Sequence, residues 1–242
     1  MICVRRTAHG SAGIVSSQSG DDYMHWTEYL PALFKGAQIT AILALSSMAI
    51  GTILAFSAGI ARFAGGPILS TIAVIYIEIF RGTSLLVQLF WLYYALPLIG
   101  ISFDPVTTGI MGLGLNIGAY GAEVVRGALQ AVPEAQHEAA RALNFSKGHT
   151  LFHVILPQAV VEMMPAFGNL AIHNLKDTAL ASLIAISDLT FQAQRLRNLT
   201  LDSVTIYSLT LLGYFAMALV LSAAIRWLER RLRRQTMAGG FA

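Results

Sequence analysis

Residues 138–157 read EAARALNFSKGHTLFHVILP. The stretch is polar although strongly apolar runs flank it, and its local signals are helical. Pro133 suits a first helical turn, because the N–H it lacks would be unpaired there. Glu134 and Glu138 stand toward the positive helix start and Arg141 toward the negative end. Ala135, Ala139, Ala142 and Leu143 recur at helical spacing as one small apolar stripe. Asn144 falls where that helix should stop, and Asn enters the left-handed C-cap conformation more easily than most side chains. Ser146 is placed to cap a second helix through His149, Phe152, His153 and Val154, ending where Pro157 opens the next apolar run. A smooth helix pair at the edge of a membrane is shaped to dock a soluble partner.

The flanks supply the membrane. Of 242 residues, 55% are hydrophobic and 12% charged, against about 25% charged in an ordinary soluble domain. Mean hydropathy is +0.63. The sequence pI of about 9.2 would point to nucleic acid in a soluble chain. Here the basic residues read as anchors on one membrane face, and no nucleic-acid partner is expected. The single cysteine, Cys3, excludes an intrachain disulfide and a Cys-rich metal site.

In chain order, residues 1–23 are polar and rich in Gly and Ser, reading as a disordered tail, with Met24 as an alternative start. The expected boundaries are a tail over 1–28, one membrane domain over 29–234 and a C-terminal tail over 235–242. Ala37 to Ile60 is a first span, about 36 Å long against a hydrocarbon core of about 30 Å. Ile68 to Ile99 is too long for one simple span and is interrupted at Arg81-Gly82-Thr83-Ser84. Val106 to Val125 follows, then the polar stretch, then Pro157 to Leu175 with a kink expected near Pro165. Residues 176–201 read as short helices lying on or dipping into one face, and Ser203 to Leu228 as the last span. The expected fold is an all-α membrane protein of about five transmembrane helices. Arg62, Arg126, Arg141, Lys147 and the arginines from Arg226 to Arg234 gather on one side, which places the polar loop and the C-terminus in the cytoplasm and the N-terminus outside.

The chain has no phosphate-binding Gly-rich loop ending in Gly-Lys-Ser/Thr, no HExxH and no GxSxG, so it cannot hydrolyse ATP alone. Gly112, Gly114 and Gly118 lie inside a hydrophobic span and read as helix-packing glycines. His137, His149 and His153 lack a carboxylate cluster, and no metal is expected there.

Glu138-Ala139-Ala140, a turn residue at 144, Val154 and Leu156-Pro157 resemble the EAA loop of bacterial ABC importer permeases, with Asn144 for the family's Gly and Val154 for its Ile. Further blocks resemble the polar amino acid subfamily: Ile77 to Thr83 with Leu86, Gln88 and Tyr94; Asn116, Gly118-Ala119-Tyr120, Glu123 and Arg126-Gly127; and Pro165, Asn169 and Lys176-Asp177-Thr178. Ser84 stands for the usual Pro and Ala179 for the usual Ser. By GLNIGAYGAEVVRGA and DLTFQAQ, the chain looks most like permease subunits of ectoine/hydroxyectoine importers.

The resemblance implies a non-catalytic permease of the bacterial cytoplasmic membrane. It implies a second permease subunit, identical or homologous, an extracytoplasmic solute-binding protein, and ATPase subunits that hold the ATP and Mg; this chain carries no cofactor of its own. It implies that Glu138, Ala139, Ala140, Asn144 and Phe145 form the coupling helix against the ATPase. A stand-alone secondary transporter or channel is the alternative class, but the inverted repeats common there are not apparent.

Ionisable and polar groups at membrane depth are costly, so each is a candidate for function. Thr83, Gln88, Asn116, Tyr120, Asn169, His173, Lys176, Asp177 and Thr178 form the candidate substrate pathway. Glu78 and Arg81, three apart, read as an ion pair or a gate. Glu123 and Arg126 read as a brace for the EAA loop. Lys176 and Asp177 offer both charges a zwitterion needs, but adjacent helical positions point about 100° apart. They could share a ligand only if the helix ends or unwinds there.

Overall fold

The computed structural model describes residues 26–238, with side-chain environments from 27 to 231. The expected tail over 1–25 and the alternative start at Met24 lie outside the described residues, while 26–28 already belong to the first helix. Helix α1 spans Trp26–Ala64. Helix α2, Pro67–Gly82, starts at a proline and stops where Thr83 turns extended. Helix α3, Leu85–Phe90, runs on through a π-turn, Trp91–Ala95, and a 3-10 turn, Leu96–Ile99, which Gly100 closes at φ 89°.

Helix α4, Pro105–Ala131, is capped by Asp104. Helix α5 is Glu134–Ala142. Helix α6, Lys147–His149, continues through a π-turn, Thr150–Ile155, into α7, Leu156–Asp177, and a 3-10 helix, Thr178–Ile184. Helix α8, Leu189–Thr200, and helix α9, Ser203–Ala238, complete the described chain.

Three stretches among the described residues are long and apolar enough to cross a membrane alone: Thr27–Ala64, Lys147–Ile184 and Ser203–Arg231. The pair Pro67–Gly82 and Leu85–Ile99, bent by 103°, is apolar enough when taken together to form a fourth, a broken span or a re-entrant loop. Helix α4, the remaining one of the expected spans, is 27 residues long. Its glycines dilute its hydropathy, but it is the axis of the bundle, with 14 of its residues buried.

The α1–α4 contact explains the glycine content. Gly51, Ala55 and Gly59 of α1 face Gly114, Gly118 and Ala122 of α4 in two small-residue stripes of four-residue period. A Cβ at Gly59 would stand 2.8 Å from the Ala122 carbonyl oxygen, and one at Gly118 2.6 Å from Tyr76 Oη. Lipid offers no hydrophobic drive for helix association, so this closeness, through dispersion, is what holds the two helices together. Gly112 serves likewise, its α-carbon lying under Leu89.

Two apolar clusters mark the ends of the bundle. One gathers Ala55, Val125, Leu129, Leu151, Ile155 and Met163, and the other Tyr29, Leu33, Leu189, Ala193 and Ile206. The C-terminal end of α1 and the loop around α5 share the first end, where Phe63 and Ala64 line a common cavity with Glu134 and Phe145. Gly168 of α7 packs on Ile225 of α9, so the C-terminal end of α9 points to the same side. Residues 178–200 form the expected short helices at the other end, with α8 wedged against α1 and α9 through Leu189 and Ala193.

One expectation needs correction. The second helix of the polar loop does not stop before Pro157: Lys147 to Ile184 is one continuous helical stretch. The π-turn absorbs the N–H that Pro157 lacks, and the Gln158 side-chain amide donates to the Val154 carbonyl at 2.8 Å. Pro165 stands inside α7, at the place where a kink is expected.

Candidate functional site: a coupling loop and a polar stripe

The loop forms as its caps dictate. Asn144 adopts φ 58°, the left-handed conformation. The N–H of Asn144 reaches the Arg141 carbonyl and that of Phe145 the Ala140 carbonyl, closing α5. Ser146 Oγ accepts the His149 N–H at 3.3 Å, the expected N-cap. Glu134 and Arg141 form an exposed ion pair at 2.9 Å.

Glu138, Ala135, Ala139, Ala142 and Leu143 point outward, so the small apolar stripe is free to meet another surface. Ala140 does not share that face. It is 2% exposed and packs into its own subunit, so the expectation that it touches a partner is corrected by the helix's own rotation. Phe145, His149 and His153 form a ladder of rings, with centroids 4.6 Å and 4.2 Å apart.

Beneath the loop, Glu123 of α4 binds both Arg62 of α1 and Arg126 of its own helix, the latter at 2.9 Å. Arg126 also donates to Gln130. The expected brace is therefore a tie between two spans. Arg62 is the partner that sequence reasoning missed, because it is 61 positions away.

Thr83, Gln88 and Asn116 come together, but at the bend between α2 and α3. Gln88 Nε2 donates to the Phe80 carbonyl at 2.9 Å and to Thr83 Oγ1 at 2.7 Å. Asn116 Nδ2 donates to the same carbonyl at 3.1 Å and to Gln88 Oε1 at 3.2 Å. A break of 103° frees carbonyls in a medium without water, and this network satisfies them.

The expected Glu78–Arg81 pair is absent. Among the described residues Glu78 is exposed with no cation within ion-pair range, and Arg81 instead stacks on Tyr120, 5.4 Å from the ring centre.

On α7, Glu162, Asn169, His173 and Lys176 are exposed at spacings of seven, four and three, forming one stripe along the helix. Asp177 Oδ2 lies 2.8 Å from His173 Nδ1. Lys176 and Asp177 both lie within the α-helix, which continues as a 3-10 helix from Thr178, so the chain neither ends nor unwinds at the two charges. Thr178 turns away, buried, its hydroxyl donating to the Leu175 carbonyl at 2.7 Å. Asn174 is buried too, tied to Ser47 and the Ala44 carbonyl. Glu162 was overlooked, though its seven-residue spacing from Asn169 was visible. Among the described residues no group of three or more His, Cys, Asp and Glu side chains is arranged to hold a metal ion.

Comparison with known proteins matches this architecture. The chain is 51% identical over 221 residues to a probable amino-acid ABC transporter permease protein, y4tF, of Sinorhizobium fredii (strain NBRC 101917 / NGR234), covering 89% of this chain and 93% of that one. It is 36% identical over 206 residues to the glutamine transport system permease protein GlnP of Escherichia coli (strain K12), covering 84% and 94%. Among solved structures, one described as an amino acid ABC transporter with histidines superposes with a TM-score of 0.80 at 34% identity, over 87% of this chain and 98% of that one. The profile of the binding-protein-dependent transport system inner membrane components matches residues 47–234, and the chain belongs to that family, as a non-catalytic, multi-pass permease subunit of an amino-acid ABC transporter of the inner membrane.

Proposed function

We propose that this subunit pairs with a second permease, identical or homologous, and that the two import a polar amino acid or amino-acid-like compatible solute. Ectoine and hydroxyectoine are the finest substrate match that the sequence blocks offer. Separate ATPase subunits, holding ATP and Mg, drive alternating access through the outward face of α5. An extracytoplasmic binding protein delivers the solute, and the N-terminus is outside and the C-terminus in the cytoplasm.

The observation that carries this reading is the exposed stripe Glu162, Asn169, His173 and Lys176 on a membrane-spanning helix. A charged side chain facing lipid at mid-membrane costs about 2.5–3.5 kcal/mol even on the mildest scale. Two such charges on one face call for water and a facing subunit. The Lys176 end of the stripe also suits a zwitterion: Lys176 offers a cation to a carboxylate and the neighbouring Asp177 an anion to an amine, while Glu162 lies about 21 Å further along the helix.

The test is reconstitution of the permease with its cognate ATPase and binding protein in proteoliposomes. ATP-dependent uptake of a polar amino acid or ectoine is expected. Uptake driven by an ion gradient without the ATPase would favour a secondary transporter instead. Reporter fusions after Ile99 should report outside and those after Lys147 and Arg234 inside, and a periplasmic Lys147 would overturn the orientation.

A further inference from the structure

The C-terminal end of α9 carries a feature that transport does not use. Helix α9 has 36 residues, about 54 Å of helix, far more than the roughly 30 Å of a hydrocarbon core. Its apolar side chains face outward along much of its length: Val204, Leu211, Phe215 and Val220 are all more than half exposed. Among the described residues no other helix of the subunit covers that face.

The same helix then reads Arg226-Trp227-Leu228-Glu229-Arg230-Arg231-Leu232-Arg233-Arg234, five arginines with one acid. Arg226, Trp227, Arg230 and Arg231 are exposed, and Arg231 lies over the Trp227 ring, 5.4 Å from its centre.

Helical register sorts these residues. At about 100° per residue, Arg226, Arg230, Arg231 and Trp227 fall within one arc of about 140°. Leu228 and Glu229 fall outside it. Amphipathic Trp rings settle at the headgroup level of a bilayer. Arg230 and Arg231, which follow it, therefore emerge into the headgroup layer, on the side of the membrane that holds the α5 loop.

Positive-inside anchoring alone explains the sign of this charge, but not its density on one face beside an interfacial Trp. We infer that this face of α9 is a binding surface for anionic phospholipid headgroups. Arg suits the role because its planar donor fork matches phosphate oxygens in pairs, and stacking on Trp227 orients the Arg231 fork before a lipid arrives. Phosphatidylglycerol and cardiolipin supply the matching charge. A zwitterionic headgroup cancels most of it.

Trp227 reports on its own surroundings. With Trp26 and Trp91 replaced by Phe, the full chain is reconstituted with tail-brominated phosphatidylglycerol or with tail-brominated phosphatidylcholine, and quenching of Trp227 is compared. Stronger quenching by the anionic lipid is expected, with a preference that weakens from about 50 mM to about 500 mM salt as screening shortens.

The triple variant Arg226→Gln, Arg230→Gln, Arg231→Gln should lower the preference by about a hundredfold, given roughly 1 kcal/mol for each basic residue near an anionic surface. Native mass spectrometry of the unaltered chain gives a second readout, with anionic lipids expected to be retained after detergent extraction. Equal quenching by the two lipids overturns the inference, as does a preference that survives the triple substitution. Loss of a co-purifying protein in the variant, with lipid preference intact, would reassign the surface to a protein partner.

Discussion

His173 Nδ1 lies 2.8 Å from Asp177 Oδ2, one turn apart on α7, and the His173 side chain is 71% exposed while that of Asp177 is 22% exposed. With the proton on Nδ1, the imidazole donates to the carboxylate and turns Nε2 outward as a free acceptor; protonated, it presents a second donor there. The pair is thus a fixed polar head on the stripe that also bears Asn169 and Lys176. His173→Ala, Lys176→Ala and Asp177→Asn should each lower ATP-driven uptake by about tenfold or more, the scale of one lost charge-assisted hydrogen bond. Thermal stability in detergent should barely move for His173→Ala and Lys176→Ala, whose side chains stand free of the bundle. Full uptake by these variants would take the pair out of the solute path.

The bend between α2 and α3 gives a stability prediction. Gln88 and Asn116 together satisfy the Phe80 carbonyl and the Thr83 hydroxyl. Gln88→Ala or Asn116→Ala should cost about 1–3 kcal/mol, the penalty for leaving buried polar groups without partners. Because the two side chains also bond each other, the double variant should lose less than the sum of the single losses. Thermal unfolding of all four forms closes the cycle, and strictly additive losses would show that the two residues act independently.

Most of this fold was legible because its signals are local. Apolar runs gave the spans, Asn144 and Ser146 gave the loop caps, and the charged interruption at Arg81 gave the bend. The pairings across the bundle were not legible. Nothing near Glu123 in sequence points to Arg62, and Gln88 reads as a pathway residue until Phe80 and Asn116 are seen beside it. Arg81 looked paired to Glu78 because three-residue spacing permits it, yet the Tyr120 ring of a neighbouring span is its actual contact. Helix rotation was the other hidden quantity. Ala139 and Ala140 look alike in sequence, and only packing separates the outward residue from the buried one.

Asp104 offers a pH test outside the membrane-spanning segments. The Thr107 hydroxyl, at 2.6 Å, and then the Thr107 backbone N–H, at 3.0 Å, donate to its carboxylate and hold its pKa below the ordinary range. A carboxylate depressed in the folded state stabilises the fold fully above its unfolded pKa, about 3.9. That contribution is lost as pH falls through the folded value. Asp104→Ala should therefore lower the melting temperature at neutral pH, with the gap to the unaltered protein closing as the pH drops below about 4. A gap that stays constant in acid would mean that the cap works without its charge.

Coupling to the ATPase supplies the last prediction, and the rotation of α5 decides which substitutions test it. In the proposed function a permease without a nucleotide motif receives its power stroke by contact, and the outward face of α5 is the surface proposed to receive it. Ala139 and Glu138 stand on that face, while Ala140 is 2% exposed and turned inward. Ala140→Trp should therefore damage folding, since overpacking a filled site costs about 1–3 kcal/mol or more, and the yield of folded subunit should drop. Ala139→Trp and Glu138→Lys should leave the subunit folded and inserted but separate ATP hydrolysis from uptake, one by bulk at the contact and the other by reversed charge. Asn144→Gly should be tolerated, because glycine enters the left-handed conformation at φ 58° without steric cost. Asn144→Val should be harmful, because a β-branched side chain resists that conformation. Transport and ATP hydrolysis measured together in proteoliposomes separate these cases. Normal coupled uptake by both Ala139→Trp and Glu138→Lys would show that the stroke enters the subunit somewhere other than α5.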